Sequence, residues 1–148
     1  MREIKHIVVH CTATGKTATI KSLLAGWRAK GWRKFGYHYV VPTDGRCVQL
    51  TPENEIANGV RGHNATSIHI SYIGGIDPKT GKAKDTRTDL QRRTLLIQLK
   101  DLKRRYPNAE IVGHRDLSPD MDGDGVVEPF EWVKECPSFD ARNEYSGL

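Results

Sequence analysis

The chain has 148 residues, 37% hydrophobic and 28% charged, enough for one compact core and too few for two independently stable ones. Lysine and arginine number 23 against 18 aspartates and glutamates, a net charge of +5 that favours anionic partners and leaves nucleic acid and an anionic cell wall both open. No apolar run is long enough to cross a bilayer, the opening Met1-Arg2-Glu3-Ile4 lacks a secretory apolar core, and three cysteines make no dense disulfide framework.

Ile4 to Val9, enriched in β-branched side chains, predicts a buried first strand ending at His10. A helix is expected to start at 17–19 and to run to Gly31, with Ile20, Leu23, Leu24 and Trp27 as its apolar stripe. Tyr37–Val41 and Arg46–Leu50 predict a hairpin around the turn signal Asp44-Gly45. Ile68–Gly74 reads as a further strand and 74–84 as an exposed connection. The strongest helix spans Asp89–Arg105, where Thr88 and Gln91 form a capping box and Leu90, Leu95, Leu99 and Leu102 are expected to face inward. Ile111 and Val112 enter a last strand, and Gly113-His114-Arg115-Asp116 brings polar side chains to its end. These alternations predict an α/β fold: one domain over 1–148, with a mixed β-sheet flanked by helices.

Two imidazoles and a thiolate, His10, His114 and Cys136, supply three ligands for zinc with a position left open for water. Spacing alone leaves a second reading, two structural histidines and an incidental buried thiol. Cys11, adjacent to His10 on a strand, points to the opposite face, and Cys47 is expected to pack in the hairpin. Arg28, Lys30, Arg33 and Lys34 lie near Trp27, Trp32 and Phe35, but no ordered nucleic-acid motif accompanies this diffuse patch.

The segments Val9-His10-Cys11-Thr12-Ala13-Thr14, Phe35-Gly36-Tyr37-His38-Tyr39-Val40-Val41, Asp44-Gly45, Asn64-Ala65-Thr66-Ser67-Ile68, Gly113-His114-Arg115-Asp116 and Lys134-Glu135-Cys136-Pro137-Ser138-Phe139-Asp140 share an order with one family. In that order the chain resembles the zinc N-acetylmuramoyl-L-alanine amidases related to bacteriophage T7 lysozyme and the peptidoglycan recognition proteins. The resemblance implies zinc on His10, His114 and Cys136, with Tyr37 beside the reacting carbonyl and Lys134 stabilising developing negative charge. It implies hydrolysis of the amide between N-acetylmuramic acid and L-alanine, with a noncatalytic recognition protein or a protein-binding adaptor as the alternatives.

Bacterial peptidoglycan is then the expected partner of a monomer with no membrane insertion and no dedicated nucleic-acid partner. Synthesis in the cytoplasm and action at the wall after lysis or assisted export are expected. The chain departs from its relatives twice: Gly59 stands where they often carry a histidine five residues before the asparagine matched by Asn64, and His69 stands where they commonly have glycine. His63, next to Asn64, either enters the groove, binds substrate or faces water, and His69 alters sheet packing or substrate access.

The segment 120–131 matches the twelve-position calcium loop, with aspartates at positions one, three and five, glycine at six and glutamate at twelve. Asp120, Asp122, Asp124 and Glu131 are its expected carboxylate ligands, Val126 its carbonyl ligand and Glu128 the holder of a coordinating water. Only one loop is present and Arg115-Asp116-Leu117-Ser118-Pro119 does not read as an entering helix, so a structural Ca2+ is expected rather than a paired sensor.

Overall fold

Alternation along the first strand divides the molecule into an apolar and a polar side. In a computed structural model describing residues 2–148, β1 (His6–Cys11) sends Ile7, Val9 and Cys11 into the main core cluster, while Val8 belongs to a second cluster. β1 starts two residues later than expected and includes His10, because its parallel ladder with β4 (Ser67–Tyr72) continues through His10 opposite Ser71 and Cys11 opposite Tyr72. β4 repeats the division: Ile68, Ile70 and Tyr72 join the main cluster, whereas Ser67, His69 and Ser71 are the alternate, polar residues.

β5 (Glu110–Gly113) pairs parallel with the other edge of β1, and β2 (Tyr39–Val41) pairs parallel with β4. β3 (Val48–Gln49) is antiparallel to β2, giving the order β3-β2-β4-β1-β5 in one five-stranded sheet whose mixed character is the one the sequence predicts. The hairpin ladder is shorter than expected. Gly45 N–H closes a turn onto the Pro42 carbonyl at 3.0 Å and Asp44 Oδ1 accepts from Arg46 N–H at 3.0 Å, which keeps residues 42–47 out of the strands.

α1 (Ile20–Ala29) begins at Thr19, whose side chain forms a capping box with Ser22, and ends two residues before Gly31. α2 (Asp89–Arg105) keeps its predicted bounds and its Thr88–Gln91 capping box, but its inward face differs at one position. Leu90 is exposed and covers the turn at Gly45, while Gln91 is buried with Leu95, Leu99 and Leu102, spaced at helical intervals. Gln91 is satisfied there: Oε1 accepts from Thr88 N–H, and Nε2 donates to the Val41 and Ile73 carbonyls at 3.0 Å each. The short α3 (Ala141–Glu144) is tied down by Arg87, whose guanidinium binds Asp85 and Glu144 and lies 3.4 Å over the Phe139 ring.

Glu53 joins the hairpin edge to the end of α2. Its carboxylate accepts from Arg105 at 2.6 and 2.8 Å, from Tyr106 at 2.6 Å and from the Tyr39 hydroxyl. Burial alone would raise its pKa, but these hydrogen bonds and the Arg105 charge overcome that and hold it at about 2. Because the folded value is depressed from 4.5, this stabilisation is complete above pH 4.5 and is lost as pH falls towards 2. Glu53→Gln is expected to cost roughly 1–3 kcal/mol near neutrality and to flatten the acid limb of a stability-against-pH curve measured by urea melts. An unchanged acid limb would mean that Glu53 does not carry it. Among the described residues no helix is long and apolar enough to cross a membrane.

Candidate metal centre and cleft

The carboxyl ends of the parallel strands bring three distant segments together. His10 comes from β1, His114 opens the 3-10 turn His114–Leu117 directly after β5, and Cys136 returns from the far side of the 118–133 loop. Their donor atoms all lie within 4.8 Å of one another. The thiol is fixed by its surroundings: Cys11 N–H donates to Cys136 Sγ at 3.2 Å, Arg115 N–H donates to the Cys136 carbonyl at 2.9 Å, and the Tyr72 hydroxyl donates to the Pro137 carbonyl at 2.7 Å. Gly113 lets the two ligand-bearing segments touch, since a Cβ there would sit 2.7 Å from Pro137 Cδ.

The electrostatics suit a cation. Burial pushes the Cys136 thiol well up, so ionisation needs a positive charge beside it. Burial, and then the Lys134 charge, push His114 down to about 4, and burial holds His10 far below its ordinary value with help from His69, His114 and Lys134. Both imidazoles are therefore neutral at pH 7, the form that binds metal. A His2Cys set with His10 and Cys136 buried and His114 half-buried at an open cleft fits zinc with one position free.

That cleft encloses about 320 Å³ and is walled by Trp27, Trp32, Tyr37 and Lys134, with His10, His114 and Cys136 among its lining. A second, more apolar cavity of about 650 Å³ meets it at His114 and is lined by Val60, Arg61, His63, Leu117 and Val133. The Tyr37 ring lies 5.0 Å from the His10 ring and edge-on to Trp27, and its hydroxyl donates to the Cys11 carbonyl at 3.3 Å. Burial, followed by the neighbouring Cys136, pushes the Tyr37 phenol far above its ordinary value, so it remains a proton donor. Of the four basic residues around Trp27, Lys30 lines the cleft and stacks its ammonium over Trp32 at 5.2 Å. Cys11 joins the core cluster, as strand alternation requires.

His63 lines the second cavity and packs edge-on to His6, with ring centres 6.0 Å apart. His69 is fully buried and makes the contact that sequence reasoning left open: its Nδ1 lies 2.9 Å from His10 Nε2, and its Nε2 3.0 Å from Asn64 Oδ1. The available signal was the polar alternation Ser67, His69, Ser71 on an otherwise apolar strand.

In the 120–131 loop, Asp120, Asp122 and Glu131 bring carboxylate oxygens within 4.8 Å of one another, as do Asp122, Asp124 and Glu128. Glu131 is buried and accepts from the N–H groups of Met121 and Glu128, while Val126 is exposed and donates its N–H to Asp124 at 2.9 Å. The loop follows the 3-10 turn His114–Leu117, ends in the 3-10 turn Pro129–Glu131 and is closed at its base by Val133 N–H donating to Ser118 Oγ at 3.1 Å.

Comparison with known proteins agrees with this geometry. An endolysin of Klebsiella phage KP32 is 30% identical over 143 residues, covering 95% of this chain and 85% of that protein. The solved endolysin of the Thermus scotoductus MAT2119 bacteriophage Ph2119 superposes with a TM-score of 0.69 at 27% identity, over 93% of this chain and 79% of that one. The N-acetylmuramoyl-L-alanine amidase LysC of Clostridium intestinale URNW shares the fold, with a TM-score of 0.73 at 22% identity over 97% and 82% of the two chains. Residues 1–137 match the family described as N-acetylmuramoyl-L-alanine amidase (Amidase_2), and the chain belongs to that family.

Proposed function

We propose that this chain is a single-domain peptidoglycan hydrolase that cleaves the amide between N-acetylmuramic acid and L-alanine, with zinc held by His10, His114 and Cys136. The observation that carries it is the convergence of this His2Cys set on the floor of a cleft walled by Tyr37 and Lys134, in a chain of the amidase family. Zinc held there would supply Lewis acidity towards the amide carbonyl and would let a water molecule give up its proton near neutral pH.

The remaining work falls to the side chains that wall the cleft. The Tyr37 hydroxyl, protonated throughout the neutral range, turns from the Cys11 carbonyl to the substrate oxygen as negative charge develops there. Lys134, exposed on the cleft rim, adds positive charge to the same region. Trp27 and Trp32 give apolar walls against which a sugar ring lies, and the +5 charge draws the protein to an anionic wall. Retention of Cys136 argues against recognition without hydrolysis, since that thiolate completes the ligand set.

Product analysis tests the reading. Wall digests should gain L-alanine amino termini without new reducing sugar ends. Failure of zinc-loaded protein to release them from several wall preparations would overturn it. Action at the wall follows cytoplasmic synthesis, after lysis or assisted export.

The 120–131 loop belongs to the same proposal as a structural calcium site, supported by its ligand pattern and by the grouping of Asp120, Asp122 and Glu131. Calcium at a hundred times its Kd should stabilise the fold by about 2.7 kcal/mol, raising Tm in a thermal melt. The double replacement Asp120→Asn and Glu131→Gln should erase the shift; no calcium-dependent shift in the unaltered protein would dispose of the site.

A further inference from the structure

We infer that His69 is a positioning residue that fixes the proton of His10 on Nε2 and so presents His10 Nδ1 to the metal, resting on the reading of His10 as a zinc ligand. The direction of each hydrogen bond follows from Asn64. Its Oδ1 accepts from the backbone N–H groups of Gly59 at 3.1 Å and Val60 at 2.7 Å, which settles which end of the amide faces this cluster. The same oxygen then requires a donor from His69 Nε2 at 3.0 Å, so a neutral His69 carries its proton on Nε2 and offers Nδ1 as an acceptor. The partner of that Nδ1, 2.9 Å away, is His10 Nε2, which must donate. The His10 lone pair is thereby left on Nδ1, the atom 3.7 Å from Cys136 Sγ.

The His69 ring is held from its other side as well. It stacks on His38 at 5.8 Å with 11° between the planes, and its own backbone N–H donates to His38 Nδ1 at 2.9 Å. His38 Nε2 in turn lies 2.9 Å from the Glu55 carbonyl, so His38 also has a defined tautomer. All three rings are buried at 1% exposure or less, which removes water as a competing partner.

The same arrangement joins the two sequence departures into one. A Cβ on Gly59 would lie 2.5 Å from His69 Nδ1 and 2.6 Å from its Cγ, so the imidazole of residue 69 occupies the volume that any side chain at 59 needs. Histidine at 69 therefore requires glycine at 59. The chain supplies from inside β4 an imidazole that a residue on the preceding loop cannot supply here.

The test uses the zinc-loaded protein and two readouts besides turnover. Long-range proton–nitrogen NMR of the histidine side chains should show His10 and His69 both protonated at Nε2; a proton on His10 Nδ1 would overturn the inference. Zinc affinity, measured by competition with a chromophoric chelator, should fall roughly 10–100-fold in His69→Ala. His69→Asn, which keeps an acceptor, should recover part of that loss, and Gly59→Ala, which displaces the ring without altering it, should reproduce it. Unchanged affinity in folded His69→Ala would overturn the positioning role while leaving the metal site standing, whereas absence of zinc binding by the unaltered protein would overturn both. Should His69→Ala fail to fold, the NMR assignment on the unaltered protein decides the question.

Discussion

His114→Ala is expected to reduce amide hydrolysis about a thousandfold or more and to empty the zinc site. Lewis-acid assistance contributes several kcal/mol to a barrier, and ~4 kcal/mol corresponds to about 10³ in rate. His114 is well placed for a selective test. It stands at the junction of the two cavities after β5, half-buried, and among the described residues no hydrogen bond of the fold runs through its ring. Its removal should therefore leave circular dichroism and the urea midpoint near their starting values while metal content falls well below one equivalent per chain. Wild-type release of L-alanine termini from a variant with an empty site would reject the assignment of the reaction to this cleft.

Tyr37→Phe separates charge stabilisation from metal binding. Loss of a single donor aimed at a developing oxyanion costs about 10²–10³ in kcat, while the lost hydrogen bond to the Cys11 carbonyl costs the fold only about 1 kcal/mol. The ring should stay in place, held by Trp27 and His10. Zinc affinity should be unchanged and KM should move little, so the effect appears in kcat. An equal fall in zinc content would instead mark Tyr37 as a support of the metal centre.

Features encoded within one segment were legible in the sequence, and contacts made only by the folded sheet were not. α2 was legible to the residue because its capping box and its 3.6-residue stripe are local properties of one segment. The exchange of Leu90 for Gln91 on its buried face was not, since the attraction for Gln91 is a pair of carbonyls, on Val41 and Ile73, that only the folded sheet brings together. The three candidate ligands were legible through the ordered motifs around them, and spacing alone left their proximity open. His69 was noticeable as a departure, but its partner His10 is 59 positions away, and no local pattern encodes that contact. The hairpin failed at its boundaries for a local reason that propensity scales miss, the capping of Arg46 N–H by the Asp44 side chain.

β1 lies between two parallel neighbours, β4 and β5, and the ladders on its two sides hold it in one alignment. A slip of one residue would carry Val9 or Cys11 to the place of His10 and would put the apolar residues of the strand on the wrong face. It would also break two ladders at once, so misaligned chains gain nothing that offsets the loss. Zinc uptake by the candidate set His10, His114 and Cys136 would therefore report on strand alignment, because only a chain with β1 seated correctly between β4 and β5 brings those three side chains together.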